Sequence, residues 1–382
     1  MPAARWCSAL AIFIVATCTA SLADITTPVI NRTLREVSDD LENPAKLIPD
    51  PAHSDTILVA ERAGRVLAFN TRSGRIREVI DIEAIVGTAS PRGLMSIAAQ
   101  ASGSALTIVV GYMDPQGDLV VGRFSVPDSD KSLDDSSMTV VIKIARLSPH
   151  RLGSSLEFGT DGALYIATSD GEMTNDGPTT PSMHAAELPQ SLLGKAIRIR
   201  PGERTGYSVP TDNPFVKQSS FQPEIYALGF HAPEALFSAP LGNQMVLLDS
   251  NDRNNEINLV ERGKNYGWDE FDGRECRRKD RLAECAASPS VRPILALPKV
   301  NSNSALVGGL LYQGERYPEL RGSILFADRT SGTVYAADEK SPGIWEHRVI
   351  TQTPQGSIAA IGNGTDGAIY IATDAGKLFA LQ

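Results

Sequence analysis

Apolar and polar positions alternate in short runs through most of this chain, and turn residues separate the runs. TILVAERAGRVLAF (56–69), SILFADRTSGTVYA (323–336) and AIYIATDAGKLFAL (368–381) share one scheme. An apolar run ends in Ala, a short polar turn reaches a Gly, and a second apolar run follows. Unbroken apolar runs of this length, bounded by turn residues, mark strands covered on both faces. Each segment therefore predicts a β-hairpin buried on both sides. ALTIVVGYM (105–113), DLVVGRFSV (118–126), SMTVVIKIARL (137–147) and QMVLLDS (244–250) predict more strands of the same kind. Long helical periodicity is nearly absent.

One stretch is written almost twice. Residues 159–171 read GTDGALYIATSDG and residues 364–376 read GTDGAIYIATDAG, with three differences in thirteen positions. Both predict an Asp-Gly turn leading into a strand. A two-faced hairpin cannot cover itself, so it must stack on copies of itself, and radial repetition is the arrangement that does this in an all-β chain. The length divides into about six units of ~60 residues. The expected fold is all-β, a six-bladed β-propeller of four-stranded antiparallel blades. A parallel β-helix would need a much shorter repeat.

The N-terminus departs from this pattern. Arg5, the apolar run ALAIFIVAT (9–17) and the small residues SLA (21–23) predict a signal peptide over residues 1–23, cleaved near Ala23. Residues 24–382 are then expected as one propeller domain, periplasmic or secreted. Lipoprotein anchoring through Cys18 is the less favoured alternative. The run is too short to span a bilayer, and no later run reaches about twenty apolar residues. The mature chain keeps two cysteines, Cys276 and Cys285, and an even pair in an exported chain predicts one disulfide. A net charge of −9 argues against nucleic acid or anionic membrane as a partner. The basic cluster RRKDR (277–281) is expected to be a solvated loop.

A series of motifs then occurs in a fixed order. RGLMSIAA (92–99), FGTDGALYIATSDG (158–171), SLLGKAIRIRPG (191–202) and YSVPTDNPF (207–215) come first. PEIYALGFHAPEALF (223–237), NEINLVERGKNYGW (255–268) and ALVGGLLYQGERYPELRGSILFADRTSG (305–332) follow. Together they resemble the glucose/sorbosone dehydrogenase family of six-bladed propellers, which includes aldose dehydrogenases using pyrroloquinoline quinone and hedgehog-interacting-protein-like domains. The Cys pair after NYGW resembles the latter branch. The resemblance implies a sugar or glycan as ligand, pyrroloquinoline quinone and calcium as cofactors, and a periplasmic electron acceptor. It also implies oxidation of a sugar's anomeric hydroxyl by hydride transfer to the quinone. That chemistry needs a base of near-neutral pKa and a fixed donor for the charge gathering on the acceptor oxygen.

The resemblance locates the expected site and also where this chain departs from it. The base position falls on Gln100, whose amide does not accept a proton at neutral pH. His150 lies one place out of register with a second family His. A cofactor-facing Arg is replaced by His231 and the neighbouring amide by Ala232; the intrinsic pKa of His231 suits a replacement catalytic base or a quinone-facing cation, and a partly exposed His in a cleft is the alternative. His231, Asn251, Asp252 and Arg329 are the implied cofactor contacts, and Asp249, Asp252 and Glu256 the implied metal ligands, although an Asx-rich turn bonding its own backbone explains the acids equally well. Glu61 and Arg62 sit at a hairpin turn and face either the central opening or a surface ion pair. Lys195 and Arg198 are expected as scaffold. Three functions stay open: a quinone-dependent sugar dehydrogenase, a non-catalytic propeller that binds a carbohydrate or a protein, or, by analogy of fold alone, a calcium-dependent lactonase or other hydrolase.

Overall fold

The computed structural model describes residues 32–87, 93–102, 105–127, 131–145, 154–171, 185–239, 244–268, 270–354 and 357–382. Six small antiparallel sheets arranged as the blades of a propeller make up the fold. The innermost strands are Pro44–Pro49, Leu94–Ser102, Ser154–Phe158, Pro233–Ala239, Leu306–Leu311 and Ile358–Asn363. Each lies beside the next around a ring, and the last lies beside the first. From each, a blade runs outward through strands that follow one another in sequence. In the first blade these are Thr56–Glu61, Arg65–Asn70 and Ile76–Asp81.

The ring is closed by exchange between the chain's two ends. Ile369–Thr373 and Leu378–Leu381 continue the sixth blade, and its outermost strand is Leu34–Ser38, paired antiparallel with Leu34 opposite Leu381. The duplicated sequence occupies equivalent places in two blades. Leu164–Thr168 and Ile369–Thr373 are both second strands, each reached through the same turn. Gly162 and Gly367 take φ of +73° and +76° there, a region that only glycine enters without strain. Asp161 and Asp366 brace the turns by accepting from the Ala163 and Ala368 amides at 2.9 and 3.0 Å.

The two-sided apolar strands form their core between the blades. In Thr56–Glu61, Leu58 and Ala60 pack towards the second blade, against Ile97, Ile108 and Phe124. Ile57 and Val59 point the other way, against Tyr370, Ala372 and Leu378 of the sixth. Alternate residues thus feed two different layers, as the period of a strand requires. Further layers of this kind join the remaining neighbours around the ring. Serine side chains also stitch adjacent inner strands: Ser96 Oγ accepts from Leu156 N–H at 3.0 Å, and Ser155 Oγ from Leu236 N–H at 2.9 Å.

The fourth blade carries a long insertion between its strands Asn254–Val260 and Leu295–Pro298. It holds a short hairpin, Phe271–Asp272 with Glu275–Cys276, the helix Leu282–Ala287, and the expected disulfide between Cys276 and Cys285. Among the described residues no helix is long and apolar enough to cross a membrane. Residues 1–23, with Cys18, lie outside the described residues.

Candidate functional site

All six innermost strands begin at one end of the propeller, and their first residues surround an axial cavity of about 230 Å³. Its polar lining includes Lys46, Arg62, Ser96, Ser154, Glu234 and Arg329. The two arginines arrive by the same local construction. Each is the first residue after a second strand, Thr56–Glu61 or Ile324–Asp328. Each is clamped through its backbone to the start of a neighbouring strand. Arg62 N–H donates to Asn43 O at 3.1 Å, and its carbonyl accepts from Leu94 N–H at 2.9 Å. Arg329 N–H donates to Ala305 O at 2.9 Å, and its carbonyl accepts from Ile358 N–H at 3.0 Å. Gly93 makes room for the first clamp, because a Cβ there would stand 2.6 Å from Arg62 O.

The electrostatics of this mouth are unbalanced. Burial holds the Arg62 guanidinium below its ordinary pKa, and the like charge of Arg329 adds to the effect, with Glu234 and Asp374 opposing. Burial lowers Lys46 as well, opposed by Glu157. The Glu157 carboxyl is itself raised by burial and accepts from Ser238 N–H and Oγ at 3.4 and 3.3 Å. Among the described residues, Ser154 Oγ and Arg329 Nε, on two residues of the lining, are buried atoms without a hydrogen-bond partner. Buried donors and acceptors are normally satisfied, and Asn251 Oδ1 in the fourth blade is a further exception of this kind. Arg62 faces the central opening, while Glu61 is fully buried and binds Arg65 at 2.7 Å.

A second polar region lies at the start of the fourth blade and is closed. His231 has no solvent exposure. Its Nδ1 is 2.8 Å from Asp170 Oδ2 and its Nε2 is 3.6 Å from Asp252 Oδ1. Trp268 stacks on the ring at 3.5 Å between centroids and donates its Nε1–H to the same Asp170 oxygen at 2.6 Å. Arg277 covers the other side of Trp268 at 4.1 Å and pairs with Asp252 at 3.0 Å. Asp249 accepts from the His231 and Ala232 amides at 2.9 and 2.7 Å. Arg277, expected in a solvated loop, instead seals this cluster. Only contact across the blade insertion reveals that role.

The structure brings His231, Asn251 and Asp252 together in the fourth-blade cluster and places Gln100 and Arg329 elsewhere. Gln100 is exposed, opposite Thr107, with its amide beside the Gly162 turn. That is the far end of the strand whose start, Leu94, stands at the mouth; six residues at about 3.3 Å each separate the two by about 20 Å. His231 is enclosed. The Asn251 amide donates to Glu256 and Asp252 pairs with Arg277. Of the four implied cofactor contacts, Arg329 alone is in the cavity lining. His150 lies outside the described residues.

The implied metal ligands are engaged separately. Glu256 accepts from Asn251, from Gly273 N–H at 2.7 Å and from Asn258 at 3.2 Å. Burial pushes Glu256 up to about 8 and Asp249 up to about 6, while the His231 hydrogen bond and Arg277 hold Asp252 well below the carboxylate range. Among the described residues no group of three or more His, Cys, Asp or Glu could hold a metal ion. Lys195 and Arg198 are scaffold, as expected: Lys195 Nζ donates to the carbonyls of Ala185, Ala186 and Leu193, and Arg198 to Asp161 and Asp212. Arg62 was legible as an alternative only. The echo of Ala-Glu-Arg (60–62) in Ala-Asp-Arg (327–329) is the signal that pairs it with Arg329.

Comparison with known proteins agrees with the fold. The family described as Glucose / Sorbosone dehydrogenase matches residues 41–380. The HIPL2 protein of Arabidopsis thaliana is 29% identical over 209 residues, covering 49% of this chain and 29% of that protein. The Hedgehog-interacting protein of Homo sapiens is 24% identical over 374 residues, covering 88% of this chain and 49% of that protein. The chain thus spans less than half the length of these curated relatives. The soluble aldose sugar dehydrogenase of Escherichia coli, in its apo-form, superposes with a TM-score of 0.74 at 21% identity, over 92% of this chain and 99% of that one.

Proposed function

This chain belongs to the glucose/sorbosone dehydrogenase family, and from that premise we propose that it is an exported sugar-dehydrogenase-type propeller that binds its sugar at the axial mouth. One observation carries the assignment: Arg62, Ser96, Ser154, Glu234 and Arg329 line the cavity of about 230 Å³ at the strand starts. A sugar offers hydroxyls that donate to and accept from such groups at once, and the cavity is of a size for a small ring. The family's reaction is oxidation of the anomeric hydroxyl with pyrroloquinoline quinone and calcium, and it is the reading offered for this chain. Cleavage after residue 23 and a single domain over 24–382 complete it. No step is assigned to Gln100 or His231, because one sits at the opposite end and the other is enclosed.

Those two placements favour a second reading, a propeller that binds a carbohydrate or a protein without oxidising anything. One assay separates them. The purified protein is given calcium, pyrroloquinoline quinone, aldoses and a dye acceptor. Dye reduction that depends on the quinone and weakens in Ser154→Ala supports the dehydrogenase. Sugar binding by calorimetry without dye reduction supports the binder. Absence of any sugar binding refutes the axial-mouth assignment.

A further inference from the structure

The insertion in the fourth blade is built as a cover for His231. Its hairpin, Phe271–Asp272 with Glu275–Cys276, is pinned to the blade by two buried carboxylates. Asp272 accepts from the Arg253 and Asn254 amides, each at 3.0 Å, and Glu256 accepts from Gly273 N–H at 2.7 Å. Arg277 follows the hairpin directly, and its guanidinium joins two walls of the His231 enclosure. It lies over Trp268, which stacks on the imidazole, and it pairs with Asp252, which stands 3.6 Å from Nε2. The cover is thin there. The Arg277 and Asp252 side chains are 25% and 39% exposed, while the His231 side chain has no exposure.

The disulfide sits one residue before Arg277. Cys276 and Cys285 enclose residues 278–284, all of them exposed, and the hydrophobic cluster of the insertion consists of Phe271 and the two half-cystines. A segment with so little core depends on its cross-link for a fixed shape. The bridge itself lies just beneath the surface, since its sequence neighbours Glu275, Glu284 and Ala286 are exposed. We propose that the Cys276–Cys285 bridge is a redox-sensitive latch: it holds Arg277 in place and His231 covered, and its reduction lets the insertion lift and opens the imidazole to solvent. The reductant is a dithiol. One of its thiolates attacks a bridge sulfur, and the sulfur–sulfur bond breaks as a mixed disulfide forms. The second thiolate then closes the dithiol into its own disulfide, so that two electrons and two protons pass to the protein and both cysteines end as thiols. Uncovered, His231 presents a titratable ring backed by Asp170 at Nδ1. This latch is independent of what binds at the axial mouth.

The test is histidine labelling of the purified protein with diethyl pyrocarbonate, read residue by residue by mass spectrometry. It is run on the oxidised protein and on protein reduced by dithiothreitol under native conditions, its thiols then capped with iodoacetamide. Reduction is expected to free both thiols and to speed labelling of His231 at least about tenfold, because a cross-link over a short loop shifts local opening by more than that. Hydrogen exchange of the second-blade strand Leu94–Ser102 should not change. Cys276→Ser/Cys285→Ser should label like the reduced protein, and Arg277→Gln should label faster than wild type with the bridge intact. If the double variant does not fold, the reduced wild-type protein decides alone. A bridge that resists dithiothreitol in the folded protein overturns the latch, and so does a His231 that stays unlabelled once the thiols are free. An Arg277→Gln protein as slow as wild type also overturns it, because the latch acts through that side chain. Loss of protection in Leu94–Ser102 on reduction overturns it too, since the bridge would then staple the whole fold.

Discussion

The mouth and the His231 cluster lie at the starts of inner strands, and both are built from Arg, Asp or Glu, and a few neutral partners. They differ in what their polar atoms face. In the cluster, one Asp170 oxygen serves both His231 and Trp268, and Arg277 closes over the tryptophan. At the mouth, Lys46, Arg62, Ser154, Glu234 and Arg329 line a cavity. The difference teaches that a histidine in a sequence motif is no guide to chemistry by itself. Its intrinsic pKa suits catalysis, and here the fully buried ring is held between carboxylates and an indole. Polar side chains that line a cavity are the better markers of a binding place.

The sharpest way to break this contrast is Asp170→Ala. Removing a buried carboxylate from both of its donors should cost about 3–5 kcal/mol in urea denaturation, with sugar affinity of the folded fraction unchanged. Loss of binding in folded protein would mean that the cluster and the mouth are one site. Next is Lys195, pushed down to about 7 by burial. An unfolded chain keeps that proton up to about 10.5, so the native state holds fewer protons across the interval and stability rises with pH between the two values. Lys195→Met should lose about 3 kcal/mol at pH 7 by stranding buried carbonyls, and its stability should gain less than wild type between pH 7 and 9. An unchanged slope would show that Lys195 does not titrate there. The smallest effect on folding is expected from Ser154→Ala, within about 0.5 kcal/mol, together with a loss of sugar affinity of about three- to tenfold. A large stability loss without an affinity change would turn the mouth serine into another scaffold residue.

Fold and site were legible to different degrees. TILVAERAGRVLAF reads as a hairpin because the apolar run and the polar turn are local facts, and the structure has strands at Thr56–Glu61 and Arg65–Asn70. The doubled GTDGA turn was legible for the same reason, since Gly162 and Gly367 need the same backbone in both blades. The disulfide followed from an even cysteine count. Gln100 lies at the end of its strand away from the cavity, and motif position says nothing about which end of a strand reaches it. Arg277 read as solvated because nothing local announces that its loop folds back on Trp268. Asp249 and Glu256 fall opposite each other on paired strands, yet each binds a different set of amides.

The sequence by itself determined the strand pattern, the two-sided burial and the turn glycines, because these depend on residues a few positions apart. Only the tertiary structure decided that Arg62 and Arg329, 267 positions apart in the chain, line one cavity while His231 is shut away. Closing six blades into a ring sets which strand ends meet at the axis and which side chains are left facing it. That closure joins residues from both ends of the chain, and no local pattern encodes it.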